Sequence, residues 1–263
     1  MVIEAMTTIF EIDGALAILT FNRPEARNAM TWEMYDALVA ACDRVDKDDA
    51  VRVLILRGAG GKAFVAGTDI APFQAFRTRE DGLAYEQRLD AVLDRLERVT
   101  KPTIAQIEGV AAGGGCAIAI CCDLRVATPE STIGVPVART LGNCLSGATY
   151  SRLVDVVGPA RARELLFTGR LATAADARAS GLINWIMPAD EIGAATRKLA
   201  LEIAANAPLT IRVTKEMLRR IAEQRRLAPG SDADLIELCY TSDDFREGVA
   251  AFTEKRKPVW RGS

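Results

Sequence analysis

Three consecutive glycines, Gly113, Gly114 and Gly115, are the residues of this sequence most clearly arranged for chemistry. They follow a stretch that predicts a buried strand and precede the apolar run 117–122, which predicts a buried helix. Glycines at such a junction let the backbone pass where a Cβ would collide, and the first turn of a helix leaves its N–H groups without partners. We therefore expect a binding site for an anion or an oxyanion at this turn.

A second glycine turn lies upstream, at residues 64–70 (FVAGTDI), where an apolar stretch ends at Gly67 and Thr68. This turn can present another backbone N–H group. Two such donors could polarise one carbonyl oxygen between them.

The composition excludes several other mechanisms. The 263 residues include no histidine, which removes Ser-His-Asp, Cys-His and His-metal chemistry, so any proton transfer must use another group. Six cysteines occur without CxxC spacing, and Cys116, Cys121 and Cys122 fall in the predicted buried helix, as expected of small core residues in a reducing compartment. The formal charge of −2 gives no electrostatic footprint for nucleic acid, and no apolar run approaches the roughly 20 residues of a membrane span. We expect a soluble, cytoplasmic protein that binds neither nucleic acid nor membrane.

Alternating strands and helices are predicted to position the two glycine turns. Runs rich in Leu, Ile and Val predict strands at 15–21, 51–56 and 103–107, and apolar residues at helical spacing predict a helix capped by Thr31 and another at 80–99. This alternation indicates helices packed on a largely parallel sheet, with ligands near the strand ends. From about Pro159 onward the pattern predicts helices at 160–167, 173–180, 191–206, 208–226 and 232–256.

Several separated motifs together resemble the crotonase, or enoyl-CoA hydratase/isomerase, superfamily. They are LTFNRPEARNA at 19–29, FVAGTDI at 64–70, GGGC at 113–116 and GVP at 134–136, with further matches in order and spacing at 168–170, 174–177, 181–183, 245–248 and 252–257. The resemblance covers nearly the whole chain. It implies an α/β fold with a crotonase-type spiral of ββα repeats over residues 1–200 and a C-terminal helical trimerisation region over 201–263. It also implies acyl-CoA thioester substrates, with coenzyme A as part of the substrate and no permanently bound cofactor or metal, and a homotrimer or a dimer of trimers.

In that superfamily the thioester oxygen lies between two backbone N–H groups, which the motif positions assign here to Thr68 and Gly114. This agrees with what the glycines predict by themselves. Hydratases of the family also use two glutamates as acid and base, and the matching positions here are Ala117 and Val137, or Ala138 if the segment holds one extra residue. Because none of these side chains can transfer a proton, two-glutamate hydration is in doubt.

Other side chains are candidates for the missing acid or base, or for polar pocket residues. The set comprises Asn143, Cys144, Ser146, Tyr150, Asp69 and Arg139. The proton would be handled by the thiol, the phenol or a water held by the amide or the serine, and the arginine could pair with a substrate carboxylate.

Each of these candidates also has a purely structural interpretation. Asn143 would cap the next helix, Cys144 would pack, Asp69 would have no chemical role and Arg139 would form a surface or intersubunit ion pair. Three further acidic residues could supply a carboxylate or simply form a solvated helix face, and they are Glu80, Asp81 and Glu86.

The resemblance also assigns residues to coenzyme A, and they are Ala26, Arg27, Ala66, Asp69, Ile70, Lys255 and Lys257. The first two would lie near the nucleotide and the next three, through their backbone, near the adenine. The two lysines could reach phosphates of CoA bound to a neighbouring subunit, with a solvated basic terminus as the alternative.

Two functions from different classes remain open. One is an enzyme that acts on an acyl-CoA through an enolate bound by Thr68 and Gly114, with a lyase, isomerase or hydrolase outcome. The other is a catalytically silent acyl-CoA-binding or assembly protein that kept the fold and lost the acid-base chemistry. RNA binding is a third option, which the net charge disfavours.

Overall fold

The computed structural model describes residues 7–263. The strands are β1 Thr8–Asp13, β2 Leu16–Phe21, β3 Val53–Gly58, β4 Ala63–Val65, β5 Thr103–Ile107, β6 Val110–Ala112, β7 Leu124–Ala127, β8 Thr132–Gly134, β9 Ala172–Thr173 and β10 Trp185–Ile186. The helices are α1 Trp32–Lys47, α2 Arg79–Glu97, α3 Gly114–Cys121, α4 Val137–Thr140, α5 Gly147–Thr168, α6 Ala174–Ala179, α7 Ile192–Ala204, α8 Pro208–Glu223, α9 Ala233–Tyr240 and α10 Asp243–Thr253. Two 3₁₀ turns occupy Pro24–Ala26 and Ala71–Ala75.

The strands form two sheets between which the chain passes back and forth. The larger sheet has the order β1-β2-β3-β5-β7-β10 and is parallel except for the β1–β2 hairpin. The smaller sheet has the order β4-β6-β8-β9 and is parallel except for β8–β9. Because β3 to β8 enter the two sheets alternately, the chain winds as a spiral of β-β units. The predicted α/β fold class is thereby confirmed.

The core lies on both faces of the larger sheet. Strands β3 and β5 read VLILRG and TIAQI and are buried almost throughout, as expected of parallel strands covered on both sides. The main apolar cluster packs α1, α2 and α3 against one face, and a second cluster packs α7 against the other through Val53, Ile55, Ile104 and Ile192.

The predicted elements of the first half lie within a few residues of the observed ones, and one later prediction is wrong. The single helix predicted at 232–256 is two helices, because α9 ends at Tyr240 and the Ser242 hydroxyl caps a new helix, α10, by accepting from the Phe245 N–H group at 3.0 Å. The helix predicted at 160–167 is present as the second half of α5, after a break in helical conformation at Gly158, whose φ is +74°.

The C-terminal helices return to the body of the chain. Helix α9 packs against α2, and α10 packs against α4 and the turn Ala71–Ala75. Helix α8 contributes no buried residue, and its apolar side chains Leu209, Val213, Met217, Leu218 and Ile221 are each at least half exposed. They do not form a core in this chain, so an assembly through this face and the division at residue 200 stay predictions. None of the described helices combines the length and the apolar character needed to cross a membrane.

Candidate active site

The glycine turn at the start of α3 leaves the first N–H groups of that helix open. Gly113 is the N-cap residue, with φ +52°, and supplies no capping side chain. A Cβ on Gly115 would lie 2.0 Å from the Val65 carbonyl oxygen, so the first turn of α3 can lie against β4 only without a side chain there. The rest of α3 is buried, which fixes the direction of these N–H groups.

The second turn is held beside the first by backbone hydrogen bonds to Met30. The Met30 N–H donates to the Gly67 carbonyl at 2.9 Å, and the Asp69 N–H donates to the Met30 carbonyl at 2.8 Å. The Thr68 nitrogen between them lies 3.5 Å from the position of a Cβ built on Gly114. Within residues 7–263 neither the Thr68 N–H nor the Gly114 N–H donates to a protein acceptor. Two open donors are thus adjacent.

These donors border a cavity of about 130 Å³. Ala117 and Val137, the positions matched to the hydratase glutamates, also border it. The other lining residues are Ala66, Gly67, Ile70, Phe73, Tyr85, Glu86, Leu89, Ala112, Gly113, Pro136, Thr140, Leu141, Asn143, Cys144, Leu145, Thr149 and Phe252. The walls are mainly apolar, so charges formed inside would interact strongly with fixed dipoles.

Two buried tyrosines fix the Thr68 side chain, and the sequence analysis did not identify either one. The Tyr35 hydroxyl lies 2.8 Å from Thr68 Oγ1, and the Tyr85 hydroxyl donates to the same oxygen at 3.2 Å. Burial raises the pKa of both phenols well above 10, so they remain neutral. The sequence gives little indication of this role, because a tyrosine at a core position of a helix cannot be distinguished from a packing aromatic residue unless the partner of its hydroxyl is known.

Glu86 is the one carboxyl group on this cavity wall within the described chain, and it is 3% exposed. Its Oε1 accepts from the Tyr240 hydroxyl at 2.5 Å, and its Oε2 accepts from the Ser146 N–H at 3.1 Å. Burial raises the pKa of Glu86 to about 8, against the lowering effect of the Tyr240 hydrogen bond. The nearby carboxylates Asp90 and Asp232 act in the same direction as burial.

The expectation of a solvated helix face is therefore wrong for Glu86. Glu80 is exposed, and the Asp81 carboxylate accepts from the Thr78 N–H at the start of α2 in a capping box. Glu86 instead shares the buried stripe of α2 with Leu89 and its neighbours. The sequence did contain an indication of this burial, because Glu86 lies three residues before the apolar Leu89 and so on the same face of the helix.

Asn143 and Cys144 lie on the cavity wall with their polar atoms turned to different partners. The Asn143 Nδ2 group donates to the Tyr240 hydroxyl oxygen at 3.1 Å, whereas its buried Oδ1 has no partner among the described residues. The predicted capping role of Asn143 is wrong, because Ser146 caps α5 by accepting from the Thr149 N–H. Hydrogen bonding with Cys239 and burial raise the pKa of Cys144, so its thiol remains neutral.

Four other candidates lie outside the lining of this cavity. Tyr150 faces a separate groove between α5 and α9, and Arg139 is exposed on α4. The Ser146 hydroxyl donates to Asp90 Oδ1 at 2.7 Å. Asp69 accepts from Arg23 at 3.1 Å, so its carboxylate anchors the oxyanion turn.

The residues matched to coenzyme A are partly brought together. Ala66 and Ile70 line the cavity, and the Ala66 N–H donates to the Arg27 carbonyl at 3.1 Å, which places the Ala26–Arg27 turn alongside. Lys255 and Lys257 are exposed beyond α10, a few residues after the cavity-lining Phe252.

Known proteins of one family match this chain over nearly its whole length. The model of the family described as "Enoyl-CoA hydratase/isomerase" matches residues 11–263. Crotonyl-CoA hydratase of Syntrophomonas wolfei is 36% identical over 253 residues, covering 95% of each chain, and short-chain-enoyl-CoA hydratase of Clostridium acetobutylicum is 32% identical, covering 97% of each.

Solved structures of similar proteins share the backbone fold of this chain over nearly its whole length. An enoyl-CoA hydratase/carnithine racemase from Magnetospirillum magneticum is 33% identical, with a TM-score of 0.80 over 99% of this chain and 97% of that one. A methylmalonyl-CoA decarboxylase complexed with 2S-carboxypropyl CoA is 29% identical, with a TM-score of 0.90 over 99% and 100% of the two chains.

Proposed function

The chain belongs to the enoyl-CoA hydratase/isomerase family, and from this premise we propose that it converts short acyl-CoA thioesters through an enolate bound by the N–H groups of Thr68 and Gly114. The family is enzymatic. The observation that carries the proposal is that these two N–H groups have no protein acceptor within residues 7–263 and border one cavity.

The chemistry follows from where charge develops. When a bond to the carbon beside the thioester breaks and leaves its electron pair behind, negative charge forms on the thioester oxygen. Two fixed donors aimed at that oxygen lower the barrier, and each contributes about 10²- to 10³-fold in rate. The apolar walls at Ala117 and Val137 exclude competing water dipoles.

The cavity size supports a short acyl group. A volume of about 130 Å³ is small for a ligand pocket, for which about 300–1,000 Å³ is usual. Crotonyl- and butyryl-sized chains fit this limit. The relatives from S. wolfei and C. acetobutylicum carry names for substrates of this class.

The reaction is one that needs a single proton-handling group. Hydration by the usual route needs an acid and a base, yet the cavity wall carries one carboxyl group, that of Glu86. A shift of a double bond along the acyl chain needs only one group that takes up a proton and returns it.

Decarboxylation of a malonyl-type thioester is a second candidate. Loss of CO₂ forms the same enolate with no base, and one proton then completes the reaction. The observation behind this candidate is the similarity to a methylmalonyl-CoA decarboxylase, with a TM-score of 0.90 at 29% identity.

A panel of CoA thioesters followed by mass spectrometry tests the proposal. The panel contains butyryl-CoA in D₂O, which reports enolate formation as deuterium uptake at Cα, together with crotonyl-, 3-butenoyl-, 3-hydroxybutyryl- and methylmalonyl-CoA. We expect deuterium uptake and conversion of at least one substrate. Thioester binding detected as a raised Tm, with neither exchange nor conversion, would support the silent binding protein instead. Failure of every thioester to bind would refute both functions.

A further inference from the structure

We propose that Glu86 is the catalytic residue that transfers the substrate proton, from a cavity wall different from the one that carries Ala117 and Val137. The assignment rests on the proposed function, because it needs a thioester enolate. In the step, the Cα–H bond breaks and the proton bonds to a Glu86 carboxylate oxygen. The electron pair forms the enolate double bond, with its charge on the thioester oxygen. In D₂O the carboxyl proton of Glu86 exchanges with solvent, and transfer of the resulting deuteron to Cα gives deuterium uptake. Transfer of the abstracted proton to Cγ of an enoyl chain instead completes a double-bond shift with no other reactant.

Position is the first argument. Glu86 borders the cavity that the Thr68 and Gly114 N–H groups also border. The preceding residue, Tyr85, donates to Thr68 Oγ1 at 3.2 Å, so this turn of α2 packs directly on the oxyanion turn. Glu86 and the residues that carry the two donors therefore border one small space, as a base and an oxyanion site must.

The second argument is that Glu86 is buried without a cation. Within the described residues it has no ion pair, although a buried carboxylate is costly unless it is paired. The neighbouring carboxylates of α2, Asp90, Asp94 and Glu97, all lie within ion-pair distance of Arg152. A residue kept for structure would be expected to share that arrangement, so the unpaired carboxyl of Glu86 points to a chemical role.

The third argument is orientation. Tyr240 from α9 and the Ser146 N–H from the start of α5 each contact one carboxylate oxygen, at 2.5 and 3.1 Å. Asn143 donates in turn to the Tyr240 hydroxyl. These contacts fix the carboxyl plane and provide hydrogen bonds that the charged form can keep. Tyr240 is thus a positioning residue in this scheme.

The surroundings of Glu86 set the direction of its pH dependence. The titratable groups that face it are Tyr35, Tyr85, Asp90, Cys144, Tyr150, Asp232 and Tyr240. None of them is a cation, and burial raises the pKa of Glu86 to about 8. The fraction of the base form therefore increases with pH across the neutral range.

The test measures deuterium uptake at Cα of butyryl-CoA in D₂O. Glu86→Gln should lower the exchange rate by about 10²-fold or more, while butyryl-CoA still raises the Tm of the variant. Glu202→Gln makes the same change at an exposed position of α7 and should keep the wild-type rate. Wild-type exchange that persists in Glu86→Gln within a few-fold would overturn the assignment alone. Absence of exchange in the wild-type protein would overturn the enolate proposal and this assignment with it.

The pH dependence of the exchange rate provides a second measurement, and its midpoint would not change if Glu86 had only a structural role. The wild-type exchange rate should rise to a plateau with a midpoint near the pKa of Glu86, about 8. Tyr240→Phe removes the hydroxyl that stabilises the carboxylate, so its midpoint should move to higher pH. An unchanged midpoint in Tyr240→Phe would contradict the assignment even if Glu86→Gln failed to fold.

Discussion

Replacing Glu86 with glutamine should change how the stability of the protein depends on pH. In the folded protein burial raises the pKa of Glu86 to about 8, whereas the ordinary value, expected in the unfolded chain, is 4.5. Between these values the folded state keeps a proton that the unfolded state has released. The stabilisation from this proton is complete below about pH 4.5 and is lost as the pH rises through about 8.

The size of the effect follows from the interval between the two pKa values. One pH unit corresponds to 1.36 kcal/mol, so the interval from 4.5 to about 8 gives a loss of about 5 kcal/mol in the free energy of unfolding. Between pH 5.5 and 7.5 the wild-type protein should lose about 3 kcal/mol relative to Glu86→Gln, because glutamine does not titrate.

Urea unfolding at pH 5.5, 6.5 and 7.5, at one protein concentration, measures this difference. The exposed substitution Glu80→Gln is the matched control and should follow the wild-type curve. Every other titrating group is common to the three proteins and cancels in the comparison. Parallel curves for the wild type and Glu86→Gln would show that Glu86 does not keep an extra proton in the fold, and would refute the reasoning from burial.

Three further predictions concern the oxyanion site and the cavity. Gly114→Pro should exchange Cα deuterium about 10²- to 10³-fold more slowly than Gly114→Ala, because both add a Cβ and only proline removes the N–H donor; equal rates would exclude that donor from catalysis. Gly115→Ala should lower the free energy of unfolding by about 1–3 kcal/mol or more, since its Cβ would lie 2.0 Å from the Val65 carbonyl oxygen, and an unchanged urea midpoint would contradict the close packing of α3 on β4. Exchange with octanoyl-CoA should have a much lower kcat/KM than exchange with butyryl-CoA, because the cavity holds about 130 Å³; comparable values would mean that the cavity opens to longer chains.

Local sequence pattern was sufficient for the elements whose signals are local. The strand Thr103–Ile107 and the glycine turn that starts α3 were predicted almost residue by residue, because an apolar run and a glycine cluster lie next to each other. The strands of the smaller sheet are two or three residues long and carry no periodicity that a pattern could detect. The fold class of the whole followed from the separated motifs.

The residues of the candidate site also divide into those that local sequence predicts and those that it does not. In the proposed site Thr68 and Gly114 act through their backbone, so the glycine turns that carry them were visible in the sequence. The orientation of Glu86 depends on a hydrogen bond from Tyr240, which lies 154 residues away along the chain. The residues near Glu86 in the sequence do not predict that partner. A charged residue on an amphipathic helix is usually solvated, so the sequence left Glu86 open between a solvated face and a carboxylate for the pocket, and tertiary packing decides for burial.

This division has a chemical reason. An oxyanion site made of main-chain N–H groups is fixed by the path of the backbone, and the close approaches around Gly114 and Gly115 leave no room for that path to change. A proton-transferring carboxyl is a side chain, which any element bordering the cavity can supply. With alanine and valine at 117 and 137, helix α2 supplies it here, and the C-terminal helix α9 orients it through Tyr240. Membership of the family therefore supports inferring the enolate, whereas the route of the proton has to be worked out from the side chains of the individual chain.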